Sequence, residues 1–145
     1  MFTAPLKSFI LVTLQFTLIG LLLITTVTVS VTSTALLAAS VLLVIWAIVV
    51  MHQSKFRISP VPAAAAILVT SGPYRFIRHP MYTAILLGAA GLLTGSFNWI
   101  RMGIAVTLAL VLIMKLLWEE KMLTEKFSDY TAYKINTWYL FPFAF

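Results

Sequence analysis

Two short stretches of this sequence hold residue types that do chemistry. The first is LVTSGPYRFIRHPMY, residues 68–82, where Tyr74, Arg75, Arg78, His79 and Tyr82 crowd behind a Gly72-Pro73 turn at the mouth of an apolar run. Pro80 suits the first position of a helix, because its missing N–H would have no intrahelical partner there anyway. A helix beginning at His79 or Pro80 is expected to aim its free N–H groups and positive dipole end at the polar stretch before it. With Arg78 and His79 alongside, a carboxylate or phosphate would fit. The second stretch is Lys115, Glu119 and Glu120, at the end of another apolar run. Lys115 and Glu119 stand one helical turn apart and share a face. Adjacent carboxylates cannot both take that face, so Glu119 is expected to look inward if Lys115 does. A carboxylate this close to an apolar segment is costly without a partner or a job. Plainer readings stand beside these: arginines that obey the charge bias of membrane loops, a histidine that caps a helix, a lysine that snorkels, and acids already in water.

The two clusters bracket a pair of helices joined by a short turn, so they are expected to meet on one side of a membrane. Together they offer a cationic end, a carboxylate and aromatic rings. That set suits a zwitterion bearing a cation, a carboxylate and hydroxyls, and S-adenosylmethionine has all of these. The helix N-terminus and His79 would take its carboxylate, a glutamate its ammonium or ribose hydroxyls, and aromatic faces its sulfonium. No metal is expected, since two histidines far apart and no cysteine give no ligand spacing. His52 reads as a helix-end residue. Neither a Gly-rich phosphate loop nor a nucleophile motif is present, and Ser71 in TSGP lacks the context of a nucleophile elbow.

The elements that must position these residues are apolar helices. Of the 145 residues 61% are hydrophobic and 10% charged, which excludes an ordinary soluble domain, a disordered tail and a disulfide-stapled module. Residues 8–54 carry no charged side chain, room for two crossings of about 20 residues each. The sequence reads as an all-α integral membrane protein, one membrane domain over 1–145, with spans at about 8–29, 35–51, 80–97 and 100–118. The polar patch Ser30–Thr34 would be the first turn, and Gly95, Ser96 and Asn98 the last. A signal peptide is the competing reading of the first span. Residues 52–79, with Pro60, Pro62, Pro73 and four basic residues, form a structured connector, within which residues 63–69 read as a short helical or interfacial piece. Residues 119–145 form an amphipathic helix leaving the membrane and an aromatic tail, WYLFPFAF, at its interface. The net charge of +6 is biased: Lys7, Lys55, Arg57, Arg75, Arg78, Lys121, Lys126 and Lys134 fall on one side and Arg101 on the other. The termini, the connector and the site are therefore expected in the cytoplasm. Because the positives flank apolar runs and form no stripe, nucleic acid is not an expected partner.

The RHPMY block, WEEKML at 118–123 and FSDYTAYKINTWYLFP at 127–142 together resemble the isoprenylcysteine carboxyl methyltransferase family of integral membrane enzymes, with phospholipid methyltransferases as broader relatives. The resemblance covers roughly residues 55–142. It implies transfer of a methyl group from S-adenosylmethionine to a lipid-linked or isoprenoid acceptor. By resemblance the cofactor contacts Ala66, Ile67, Leu68, Val69, Tyr74, His79, Pro80, Met81, Tyr82 and Glu119 or Glu120, and Lys115, Glu119 and Arg78 serve the transfer. Lys115 stands where relatives often carry an arginine thought to meet the substrate carboxylate; the charge survives but the bidentate fork does not. Tyr139 and Ala84 stand where an arginine and a glycine are common.

The implied mechanism is in-line displacement at the sulfonium methyl. A carboxylate acceptor needs no general base at neutral pH, its pKa being near 4; an amine acceptor needs one, with Glu119, Glu120 or His79 as candidates. Carboxyl O-methylation is the first expectation and phospholipid N-methylation the alternative. A nicotinamide-dependent membrane reductase and a non-catalytic membrane assembly protein follow.

Overall fold

The computed structural model describes residues 4–24, 28, 30–52 and 67–142. The helices are α1 (Ala4–Ile24), α2 (Val31–Met51), α3 (Pro80–Gly95), α4 (Trp99–Lys126) and α5 (Tyr130–Ile135), with a 3-10 turn at Gly72–Arg75 ahead of α3. Leu6–Ile24, α2 and α4 are long and apolar enough to cross a membrane, whereas α3 is a shorter apolar helix. At 1.5 Å per residue α3 is about 24 Å long, against roughly 30 Å for a bilayer core. Residues 53–66, most of the expected connector and Ala66 with it, lie outside the described residues.

Capping chemistry moves several expected boundaries. Helix α2 begins at Val31 and not at residue 35, because Ser30 is its N-cap: the Ser30 hydroxyl accepts from Ser33 N–H at 3.1 Å. The patch expected to be only a turn is thus the cap and first turn of a helix, where Ser and Thr are favoured. Asn98 caps α4 in the same way, accepting from Arg101 N–H at 2.8 Å. Helix α4 runs on to Lys126, so Glu119 and Glu120 continue the helix of Lys115. The expected amphipathic helix from 119 is divided: its first part belongs to α4, a turn follows, and α5 has 6 residues. Residues 67–70 are not helical.

The closest pairing joins two consecutive helices, and the next joins two that are far apart in the chain. Helix α2 lies most closely against α3, and α1 against α4. In lipid no hydrophobic force drives helices together, so close approach rests on small residues and interhelical hydrogen bonds. A Cβ on Gly91 would stand 3.0 Å from Leu37 Cγ, and one on Gly88 3.0 Å from Ser40 Oγ. Ser33 donates to Gly91 O at 2.8 Å and Ser40 to Ala84 O at 2.7 Å. The core is filled by Leu18, Leu22, Leu92, Leu108, Leu112 and Leu116, among others.

At the end remote from the chemistry, Arg101 is buried and donates to Ser96 O at 2.8 Å and Leu22 O at 3.1 Å. It thereby collects carbonyls from the C-terminal ends of α3 and α1, which helices leave without partners. At the other end the first residues of the tail pair with the start of α3. Ile77 and Trp138 form an isolated parallel bridge, with Arg78 N–H donating to Trp138 O at 2.8 Å and His79 N–H to Tyr139 O at 3.1 Å. Thr83 Oγ1 adds a bond to Leu140 O at 2.6 Å. The tail is a strap, because its backbone satisfies groups that the start of α3 leaves open.

Gly72 has φ +59°, and a Cβ there would meet Val50 Cγ2 of α2 at 2.7 Å. Gly72→Ala should therefore lower stability by about 1–3 kcal/mol, while Gly103→Ala, facing open space, should stay within about 0.5 kcal/mol of the parent. Thermal unfolding of both variants in one detergent measures the contrast.

Candidate active site

The site is assembled where α3 begins and α4 passes the same level. Pro80 opens α3, as its fixed φ favours, and this sets His79 and Tyr82 on the side facing α4. Their rings stack with centroids 5.4 Å apart and planes 3° from parallel. His79 Nε2 donates to Glu120 Oε1 at 2.9 Å, and Nδ1 lies 3.7 Å from Glu119 Oε2. Both adjacent carboxylates therefore turn to the same imidazole, contrary to the expectation that only one could look inward. The two ring nitrogens sit on different edges of one ring, so residues about 100° apart on a helix can each reach one.

The two glutamates are in different circumstances. Glu120 is buried, and its Oε1 also accepts from Arg78 Nε at 2.9 Å and from the Tyr130 hydroxyl at 2.8 Å. Its Oε2 lies 3.3 Å from Lys134 Nζ. Glu119 keeps 25% of its side chain exposed and accepts from the Tyr82 hydroxyl at 2.8 Å. Arg78, expected to lie open to an anion, is buried: Nη1 donates to Lys134 O at 3.0 Å and to Thr137 O, and the guanidinium stacks 4.0 Å from the centre of the Tyr139 ring. The amides of Arg78 and His79 are taken by the strap, and those of Tyr82 and Thr83 by His79 O. The start of α3 is thus more fully bonded than the sequence suggested.

Lys115 is buried, donates to Gln15 Oε1 of α1, and lies 5.2 Å from the centre of the Tyr82 ring. It does not snorkel. Tyr74, within the 3-10 turn, is buried, and its carbonyl accepts from the Tyr133 hydroxyl. Pro80 is buried and Met81 half-buried. Ile67 is exposed, and Leu68 and Val69 are half-buried in an irregular stretch. The structure therefore joins Arg78, His79, Tyr82, Lys115, Glu119 and Glu120 in one network.

Outside the spans, burial pushes the phenols of Tyr74, Tyr130 and Tyr133 well above their usual range; the charge of Glu120 pushes Tyr130 further, and that of Glu119 pushes Tyr74. All three stay protonated at neutral pH, and Tyr130 and Tyr133 donate to Glu120 Oε1 and to Tyr74 O.

Sequence reasoning missed Gln15, Tyr130, Tyr133, Lys134 and Thr137 as members of the site. Gln15 offered a signal, being an amide inside an apolar helix. Tyr130 and Tyr133 share a helical face at spacing i, i+3, which also could have been noticed.

Residues 16–130 match the phospholipid methyltransferase family. The chain belongs to that family. It lies within the isoprenylcysteine-carboxyl-methyltransferase-like membrane methyltransferases, the group indicated by the RHPMY and EE blocks. Over 81 residues the chain is 36% identical to the cobalt-zinc-cadmium resistance protein CzcN of Cupriavidus metallidurans, an alignment covering 52% of this chain and 35% of that protein. The chain thus spans about a third of the length of this curated relative. No solved structure matches it. Among the described residues no group of three or more His, Cys, Asp or Glu side chains is placed to hold a metal ion.

The unequal bonding of the two glutamates has a measurable consequence. Glu120→Gln removes the counter-ion of buried Arg78 and should cost about 3–5 kcal/mol. Glu119→Gln alters one hydrogen bond at a partly exposed carboxylate and should cost about 1 kcal/mol or less. Chemical denaturation of the two variants in micelles compares them.

Proposed function

We propose that this protein transfers a methyl group from S-adenosylmethionine to a lipid acceptor, with carboxyl O-methylation as the reaction. Members of the family use this cofactor, and the residues present suit it. The observation that carries the reading is the Glu119 carboxylate, partly exposed beside the stacked His79 and Tyr82 rings. A carboxylate with spare acceptor capacity suits ribose hydroxyls or an ammonium, and aromatic faces suit a sulfonium. Tyr74, Met81 and the stretch Ala66–Val69 complete the expected contacts.

When bound, the cofactor supplies an electrophilic methyl group. Tyr82 fixes the Glu119 carboxylate through its hydroxyl, and His79 holds Glu119 and Glu120 apart. Glu120, with Arg78 and Tyr130, keeps His79 in place as a positioning residue. Lys115, 5.2 Å from the centre of the Tyr82 ring, offers a cation to the acceptor's acid group. Rate enhancement then comes chiefly from orientation and exclusion of water. We read the bundle as multi-pass with this end in the cytoplasm, following the bias of Lys and Arg, so that the lipid approaches from the bilayer and the cofactor from water. The family match also supports a second reading, N-methylation of a phospholipid amine, in which Glu119 or His79 would accept the amine's proton.

Calorimetric titration of the purified protein with S-adenosylhomocysteine should show binding that Glu119→Ala and His79→Ala each weaken by tenfold or more, about 1.4 kcal/mol. NADPH should give no heat. Transfer of labelled methyl to lipid should yield product that releases volatile methanol in mild base. Label stable to base would favour the N-methylation reading, and heat from NADPH alone would overturn both.

A further inference from the structure

Gln15 lies mid-way along α1 and is 4% exposed. A side-chain amide at that depth must find a partner within the protein. Its oxygen accepts from the Lys115 ammonium, itself 1% exposed. The other neighbour of that ammonium is the face of the Tyr82 ring, at 5.2 Å. Both partners are neutral. Among the described residues the ion pairs join Glu119 and Glu120 to Arg78, His79 and Lys134, and Lys115 enters none of them. A buried cation is thus held in a membrane-spanning helix by an amide and a ring, without a counter-ion in contact. Stability alone gives no reason for this, since an apolar residue there would avoid the cost of burying charge. An ionisable residue inside a span by default marks a functional site.

We propose that Gln15 is a positioning residue that aims the Lys115 ammonium at an anionic group of the lipid acceptor without neutralising it. The inference rests on the methyl-transfer reading above and extends it to α1, a helix from which that reading takes no residue. The neutrality of glutamine matters. An amide oxygen satisfies one of the ammonium's three protons and leaves its positive charge in force. A carboxylate at the same place would pair with it and hold it back from the acceptor. A leucine would leave the ammonium unbonded and free to turn away. The anionic group is either the carboxylate of an isoprenoid acid or the phosphodiester of a phospholipid. The Tyr82 ring, between Lys115 and Glu119, links this acceptor half of the site to the half proposed for the cofactor.

The test compares the parent, Gln15→Glu and the exchange pair Gln15→Lys/Lys115→Gln. S-adenosylhomocysteine binding is measured by calorimetry. Methyl transfer is measured with farnesoic acid, with N-acetyl-S-farnesylcysteine and with dioleoyl phosphatidylethanolamine vesicles. Gln15→Glu should bind S-adenosylhomocysteine as the parent does, and should unfold at the same temperature or higher because its contact with Lys115 is strengthened. Its kcat/KM for the acceptor should fall about tenfold to a hundredfold, mainly through KM. The exchange pair keeps the hydrogen bond but moves the charge to α1, and should show the same loss. A purely structural Gln15 would leave kcat/KM unchanged in both, and that result overturns the inference while leaving the methyl-transfer reading intact. A parent that binds no S-adenosylhomocysteine and methylates none of the three probes overturns both; a parent that binds it and methylates none overturns the inference. Base-labile label on the two acids assigns the carboxylate, and stable label on the phospholipid assigns the phosphodiester.

Discussion

A single carboxylate, that of Glu120, organises one end of this molecule. It is buried near the end of a long apolar helix, where an anion is tolerated only if its charge and lone pairs are met. Arg78 from the last residues before α3, His79 at the N-cap of α3, and Tyr130 and Lys134 of α5 meet them. Those donors come from two segments that are far apart in sequence, residues 78–79 and α5. Once they converge, the order of the other parts follows. The Arg78 guanidinium draws in the carbonyls of Lys134 and Thr137, and that contact lays the residues after α5 beside residues 76–79. Arg101 plays a comparable part at the opposite end, where it binds carbonyls of two helix termini.

Fixing Glu120 leaves its neighbour available. Adjacent residues on one helix acquire different roles because one is buried with three protein donors on its Oε1 and the other keeps an exposed edge. His79 is the common element, with one ring nitrogen bonded to Glu120 and the other near Glu119. Lys115 lies one turn deeper, among neutral partners. Charges therefore change along α4 from a cation among neutral partners, to a partly exposed anion, to a buried anion held by Arg78, His79 and Tyr130 through Oε1. Such a gradient suits the proposed reaction, in which a polar cofactor and an apolar acceptor would meet at one boundary.

Much of this could be read from residue types alone. The run of uncharged residues from 8 to 54 announced the first two apolar helices, and Pro80 after His79 placed the start of α3 to within a residue. The meeting of RHPMY with the EE pair also followed from the short turn between α3 and α4. Three things did not. The start of α2 was misplaced because Ser30 serves as a cap, a role that a polar patch between apolar runs does not announce. The closeness of α2 to α3 depends on Gly88, Gly91, Ser33 and Ser40 facing one another, which one chain's periodicity does not reveal. The aromatic content of the tail suggested an interface, but it did not reveal that the backbone of residues 138–140 pairs with the start of α3. Gln15 was passed over because a lone amide in an apolar helix carries no motif; its meaning comes from Lys115 on another helix.

The account stands on the proposal that His79, Tyr82 and Glu119 together hold the methyl donor. Direct ultraviolet crosslinking of methyl-labelled S-adenosylmethionine, followed by residue-level mapping of the label, tests that most directly. The label should fall on Tyr74, His79 or Tyr82, and excess S-adenosylhomocysteine should abolish it. Label confined to the end around Arg101, or to the outward faces of α1 and α2, would contradict the account.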